Sequence, residues 1–328
     1  MLFMARQFVG DLKDGDSIDE VYLLADKQLR ANRNAALYLL ASVRDRSGTL
    51  NGLMWNVRED QMAGFEAGDY VKIKGKVQVY QGGLQVILTH VQRADGAGLD
   101  PEDFELRPKQ DVEKLMVRLR EILLSIDDPS IRALMECFLI DEALVQRMLR
   151  TGAGVKAHHA YPGGLVEHIT NMLEAATRIR DLYAEVNFDL VLAGIFLHDL
   201  GKVREMDFDK AFSYTDEGQL LGHMSIGVEM VTEKVLELGR LTGEPFPREI
   251  ELRLKHMIIS HHGSYEHGSA RLPMTPEAIV LHHLDNLDAK VHEFVRTIDE
   301  DPNGESNWTP FVPRLDRKLF KGKKRDES

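Results

Sequence analysis

The residues best suited to chemistry are histidines and aspartates that recur on apolar faces, or at the ends, of helical stretches in the second half of the chain. His168 lies three residues after Leu165 and four before Met172, so a helix sets it on the side of its core residues. His198 and Asp199 end an apolar run over residues 190–197, with Gly201 close behind. His223 opens a further helical stretch whose face carries Ile226, Gly227 and Met230. His261 and His262 close the stretch containing Met257, Ile258 and Ile259, and Gly263 follows them. Asp285 stands one turn after Leu281.

Polar ligands on the apolar faces of several helices converge at the centre of a bundle, where an unpaired imidazole or carboxylate is costly. Bound cations are the natural compensation. Neutral imidazole supplies directional nitrogen ligands, and a carboxylate can bridge two ions and offset their charge. Neighbours in mid-helix point about 100° apart. A helix end released by Gly201 would let His198 and Asp199 turn toward one site. A lone histidine is more often a satisfied core or surface residue, and His90, His256, His267, His282, His283 and His292 take that reading. The pair His158 and His159 stays open between a loop pair and a substrate contact.

Composition narrows the chemistry. Cys137 is the single cysteine, which excludes an internal disulfide and any zinc site needing two cysteines from one chain. A metal must then be held chiefly by His, Asp or Glu. The net charge of −12 argues against coating nucleic acid through overall charge, but leaves room for local or metal-borne positive charge. No apolar run reaches the roughly 18 residues of a membrane span, and residues 1–6 lack the pattern of a signal peptide. A cytoplasmic protein without a membrane partner is expected.

The elements that must position these residues change character along the chain. In the front half, Val71, Ile73, Gly75, Val77 and Val79 alternate with Lys72, Lys74, Lys76, Gln78 and Tyr80, the period of a half-buried strand. Gln81, Gly82 and Gly83 turn the chain into a partner strand over residues 84–88. Residues 36–43 and 50–55 form a second strand pair, residues 21–29 a further strand, and residues 58–65 a short helix between the hairpins. Five short strands with a helix between the third and fourth match an OB-fold-like β-barrel, a frequent single-strand binder. Lys72, Lys74, Lys76 and Tyr80 are its candidate nucleic-acid contacts, with Tyr38 and Trp55 nearby in the pattern. The plainer reading of the lysines is a solvated strand face that discourages edge pairing.

Beyond a turn-forming linker the spacing is helical, and residues 163–296 read as all-α. The expected organisation is multidomain: an OB-fold-like barrel over 1–95, a linker over 96–110, a helical connector over 111–155, the metal-bearing helical domain over 156–300, and an extension with a basic tail over 301–328. Arg314, Arg317, Lys318, Lys321, Lys323, Lys324 and Arg325 make that tail an RNA-touching arm or a solvated end. Residues 308–311 before it could dock on the body or on another subunit, which leaves a homo-oligomer open.

The ordered pattern His168, His198-Asp199, His223, His261-His262, Asp285 resembles the HD phosphohydrolase superfamily, an all-helical metal-dependent fold. The wording is narrower still: HHAYPGGLVEH (158–168), LHDLGK (197–202), GHMSIG (222–227), SHHG (260–263) and LHHLDNLDAK (281–290) follow a strand-rich front half. That combination resembles the YhaM-type 3′-to-5′ exoribonucleases over most of the chain. The resemblance implies one metal held by His168, His198, Asp199 and Asp285. It implies a second at His223 and the His261-His262 pair, with Asp199 bridging. Which of His261 and His262 coordinates stays open. It also implies manganese, although the ligand set accepts iron, cobalt, nickel or zinc.

Lys202 matches the position that holds phosphate in many HD enzymes; its plainer reading is a helix-end lysine facing solvent. The implied reaction is hydrolysis of a phosphodiester by a metal-activated hydroxide, digesting single-stranded RNA, with single-stranded DNA as a further substrate. Two other readings keep part of this pattern. One is an HD nucleotidase or cyclic-dinucleotide phosphodiesterase, the latter weakened by the lack of a Gly-Tyr-Pro signature. The other is a non-catalytic nucleic-acid-binding adaptor.

Overall fold

A computed structural model describes residues 6–32, 36–80, 83–104, 110–154, 161–207, 213–299, 301 and 306–322. His158, His159, Gln81, Gly82, Lys323, Lys324 and Arg325 lie outside the described residues. The chain divides into two compact units, residues 1–107 with 294–328 and residues 108–293.

The first unit is built on a closed barrel. Strands β1 (Ser17–Ala31), β2 (Leu37–Asp45), β3 (Gly48–Met54), β4 (Tyr70–Tyr80) and β5 (Gly83–Arg93) are ordered β1-β2-β3-β5-β4, and α1 (Glu59–Met62) sits between β3 and β4 in sequence. All pairs are antiparallel except β3 with β5. Alternation sends Leu39, Ala41 and Val43 of β2 and Val71, Ile73 and Val77 of β4 into the core, with Tyr22, Leu24, Leu50 and Val86. The lysine alternation on β4 is interrupted by a register shift between Lys74 and Gly75. A Cβ at Gly75 would lie 2.4 Å from the Ile87 carbonyl oxygen, so this bend needs a glycine.

Part of the expected linker is pinned to this unit. The buried Phe104 packs on Tyr70 at 4.6 Å, and Asp103 pairs with Arg6 and Arg46. Near the C-terminus Trp308 packs at a tilt against Phe320 with centroids 5.0 Å apart, and Lys321 pairs with Asp301 at 2.6 Å.

The second unit comprises α2 (Val112–Leu124), α3 (Pro129–Leu139), α4 (Glu142–Arg150), α5 (Gly164–Ile179), α6 (Phe188–Leu197), α7 (Lys202–Glu205), α8 (Asp216–Thr242), α9 (Arg248–Ser260) and most of α10 (Pro276–Asp299). Side chains of Asp111, Asp128, Asp141, Asn187 and Thr215 cap the starts of α2, α3, α4, α6 and α8 by accepting from first-turn amides. The expectation of an all-helical second half needs one correction: β6 (Met206–Asp207) and β7 (Ser213–Tyr214) form a two-stranded hairpin. It precedes α8, whose Thr215 cap also bonds to the Glu205 carbonyl. Among the described residues, no helix is long and apolar enough to cross a membrane.

Helix α6 is what centres the site. Residues 190–197 are all buried, the signature of a helix surrounded by others, with Val191, Ile195 and Phe196 fully enclosed. A chain leaving such a helix emerges in the middle of the bundle. That is where His198 and Asp199 stand.

Candidate metal centre

Among the described residues, five imidazoles and two carboxylates meet at the C-terminal end of α6. His168 comes from α5, His223 from α8, His261 and His262 from the end of α9, and Asp285 from α10. His168, His198 and His261 are essentially sealed from solvent, and Asp199 is 2% exposed. Potential ligand atoms fall into overlapping groups within 4.8 Å of one another: His168, His198 and Asp285; His223, His261 and His262; and His198, Asp199 and His261. Both residues of the His261-His262 pair are thus within reach of the second group.

Asp199 stands between the first two groups. Its Oδ2 lies 3.4 Å from His198 Nε2 and 3.9 Å from His168 Nε2, and its Oδ1 lies 3.4 Å from His223 Nε2 and 3.7 Å from His261 Nε2. His168 Nε2 is 3.3 Å from Asp285 Oδ1. Each oxygen of one carboxylate therefore faces a different set of imidazoles. Asp199 Oδ1 and His223 Nε2 are buried and make no hydrogen bond. Leaving such groups unsatisfied costs about 1–3 kcal/mol each, more when charged.

The histidines are held from behind. His198 Nδ1 meets the Ile195 carbonyl at 2.7 Å, His261 Nδ1 that of Ile258 at 2.7 Å, and His262 Nδ1 that of His267 at 2.8 Å. His168 Nδ1 meets Asp288 Oδ2 at 2.6 Å, and His223 Nδ1 meets Glu205 Oε1 at 3.2 Å. With an acceptor behind each Nδ1, every ring offers Nε2 to the cluster, the arrangement that orients imidazoles toward a metal.

The electrostatics are those of crowded groups in a dry place. Burial alone would pull the His168 pKa down, but Asp285 and Asp288 outweigh it and push it up to about 10. Asp285 is held below the usual carboxylate range, since His168 and its neighbouring imidazoles overcome burial. Asp199 is held far below it, against burial, chiefly by Lys202 and His198. Burial and the nearby His198 lower His261, and burial and the nearby His223 lower His262.

Glycines set the close approaches, and one does so differently from expectation. The backbone stays right-handed through Gly201 (φ −58°), so this residue does not release the helix end. It makes room: a Cβ there would lie 2.0 Å from the His223 carbonyl oxygen of α8. His223 opens the second part of α8, as expected, because the helix that starts at Asp216 breaks at Gly222 (φ 71°, ψ 155°). That conformation is essentially reserved for glycine. It leaves the His223 amide to donate to Glu205 Oε1 at 2.9 Å. Gly263 (φ 77°) closes the His261-His262 turn, where a Cβ would collide with the His282 ring at 2.1 Å.

Lys202 begins α7 rather than ending a helix, and its side chain is 11% exposed rather than solvated. Nζ donates to Asp199 Oδ2 and to the Ala153 carbonyl, both at 2.6 Å. On the barrel, Lys72 and Lys74 flank Asp19 at 3.2 and 2.8 Å. Lys76 lies opposite Ser17, and the exposed Tyr80 opposite Gly83. Tyr38 and the half-exposed Trp55 pack at a tilt of 41° with centroids 5.3 Å apart.

Sequence reading missed three residues. Asp288 is one turn beyond Asp285 on the same helix, a spacing that could have been noticed. Glu205 carries no such signal. His282, read as ordinary, hydrogen-bonds through Nδ1 to the His261 carbonyl at 2.7 Å and packs over Gly263.

A closed five-stranded barrel joined to a helical unit with this cluster defines an OB-fold coupled to an HD domain. The corresponding family models match as "OB-fold nucleic acid binding domain" over residues 25–94 and "HD domain" over residues 165–290. The 3'-5' exoribonuclease YhaM of Geobacillus sp. (strain WCH70) is 32% identical over 307 residues, 93% of this chain and 92% of that protein. YhaM of Bacillus subtilis (strain 168) is 31% identical over 93% of this chain and 95% of its own. The chain belongs to this family of exoribonucleases and is an enzyme. Among solved structures, the second OB-fold domain of replication protein A from Methanococcus maripaludis aligns over 27% of this chain and 95% of its own, at 20% identity and a TM-score of 0.22.

Proposed function

We propose that this nuclease is a divalent-metal-dependent 3′-to-5′ exoribonuclease that digests single-stranded RNA, and single-stranded DNA as a secondary substrate. The observation that carries the reading is Asp199, buried between two groups of imidazoles with Oδ1 and the facing His223 Nε2 lacking hydrogen bonds. A nitrogen and oxygen donor set of this kind suits manganese, iron, cobalt, nickel or zinc, and manganese is the ion we expect. His168, His198, Asp285 and Asp199 Oδ2 would hold one ion. His223, His261, His262 and Asp199 Oδ1 would hold a second. When bound, such ions lower the pKa of water and neutralise charge on a phosphodiester.

The chain's own residues do the rest. The carbonyls and carboxylates behind each Nδ1 keep Nε2 aimed inward. Lys202 fixes Asp199 Oδ2 and the Ala153 carbonyl with two of its three ammonium donors, leaving the third for a phosphate oxygen. Burial around His168, His198 and His261 keeps bulk water from competing for those contacts. The Tyr38–Trp55 pair and Tyr80 offer π-faces to successive bases, and Lys72, Lys74 and Lys76 offer charge to the backbone. The 3′-to-5′ direction is taken from the names of the relatives.

Incubating the protein with end-labelled RNA, with Mn²⁺ or with a chelator, tests this. A 3′ label should leave at once as mononucleotide while a 5′ label steps down in length, and the chelator should stop both. Early release of the 5′ label, or digestion that survives chelation, would overturn the proposal.

A further inference from the structure

The five Nδ1 acceptors are of two kinds, and their distribution is not random. His198, His261 and His262 rest on main-chain carbonyls. His168 and His223 rest on carboxylates, Asp288 at 2.6 Å and Glu205 at 3.2 Å. These two histidines belong to different ligand groups, His168 with His198 and Asp285, and His223 with His261 and His262. We propose that Asp288 and Glu205 are positioning residues, one for each of two ion positions, each making one histidine of its group a stronger donor. The proposal rests on the reading of the cluster as a metal centre.

Both carboxylates are confined, with side chains 17% exposed for Asp288 and 10% for Glu205. Each approaches its ring at Nδ1, on the side away from Asp199, and so acts through the histidine. A carboxylate acceptor fixes the tautomer, as a carbonyl does, but also raises the basicity of the far nitrogen by its charge. The need for that charge differs between the groups. The His168 group contains Asp285 and shares Asp199. The His223 group contains three imidazoles and no carboxylate of its own among the described residues, and the carboxylate oxygen facing His223 Nε2 is Asp199 Oδ1. Glu205 supplies the second negative charge there, and its Oε1 holds the His223 amide as well as the ring. The effect of losing Glu205 should therefore exceed that of losing Asp288.

The amide variants Asp288→Asn and Glu205→Gln separate charge from shape, because an amide oxygen can still accept from Nδ1. The chelated full chain is titrated with Mn²⁺, following free Mn²⁺ by electron paramagnetic resonance, and melting of the metal-free forms is recorded in parallel. Each amide variant should weaken one of two Mn²⁺ equivalents about 10- to 100-fold, Glu205→Gln the more, and leave the other equivalent near wild type. Two wild-type affinities in both variants would overturn the proposal while leaving the metal centre intact. Absence of Mn²⁺ binding by the wild-type chain would instead sink the metal reading and this inference with it. If an amide variant melts early, Asp288→Glu or Glu205→Asp decides: affinity regained with the charge supports the proposal, and equal loss in both variants overturns it.

Discussion

The barrel and the helical unit treat ionised side chains in opposite ways. On the barrel, Asp19 lies between Lys72 and Lys74, all well exposed, and the three charges satisfy one another in water. In the helical unit, Asp199 is sealed off, bound on one oxygen by Lys202 and left without a hydrogen bond on the other. Exposed pairs contribute little to stability because solvent already serves each partner. A buried carboxylate with an orphan oxygen is tolerated only where something else repays the desolvation. Surface charge is thus weak evidence of function, and buried unsatisfied charge is strong evidence.

The largest effect that would test this contrast belongs to Asp199. Asp199→Ala should lower Mn²⁺-dependent release of mononucleotides from single-stranded RNA by at least about 10³-fold, the scale of several kcal/mol of charge stabilisation. RNA binding, measured by filter retention, should persist; turnover within tenfold of wild type would remove Asp199 from the centre of the site. Next comes Gly263→Ala, which meets both a positive φ and the His282 ring. It should destabilise the chain by at least about 2 kcal/mol in urea denaturation. Gly15→Ala on the barrel, with a positive φ but open space, should cost only about 1 kcal/mol. Equal losses would show that the approach of His282 is unimportant.

Smaller effects are expected from the barrel surface. Trp55→Ala should weaken binding of short single-stranded RNA by about 1–3 kcal/mol, the worth of one stacked base, read by fluorescence anisotropy. Unchanged affinity would move the stacking platform elsewhere. The mildest expectation concerns Asp19→Asn, which frees Lys72 and Lys74. Stability should not change, and RNA affinity should rise about two- to fivefold at low salt and less at high salt. No rise at any salt would return these lysines to the role of a solvated strand face.

What the sequence made legible follows from how local each signal is. The barrel strands are visible because alternation is a property of neighbours, as at Val71, Ile73 and Val77. The clustering of His168, His198, Asp199, His223, His261, His262 and Asp285 was readable because each sits among apolar residues at helical spacing. Glu205 was not, since its contact with His223 exists only because Gly201 and Gly218 let α7 and the start of α8 approach closely. The pairing of Asp19 with two lysines was hidden for a similar reason, being set by the β1–β4 register. Gly201 shows the same limit in reverse: its presence was noticed, but its purpose lay on another helix.

The tethering of every cluster ring through Nδ1 has a dynamic consequence. A ring bonded at that atom cannot flip about its Cβ–Cγ axis without breaking the bond, so these side chains surrender their rotation as the chain folds. On the proposed reading, ion capture would find a lattice of fixed spacings rather than a set of arms that close around it. Amide hydrogen exchange in α5, α6 and α9 should be nearly the same before and after capture. Such a lattice would discriminate between ions by their radii.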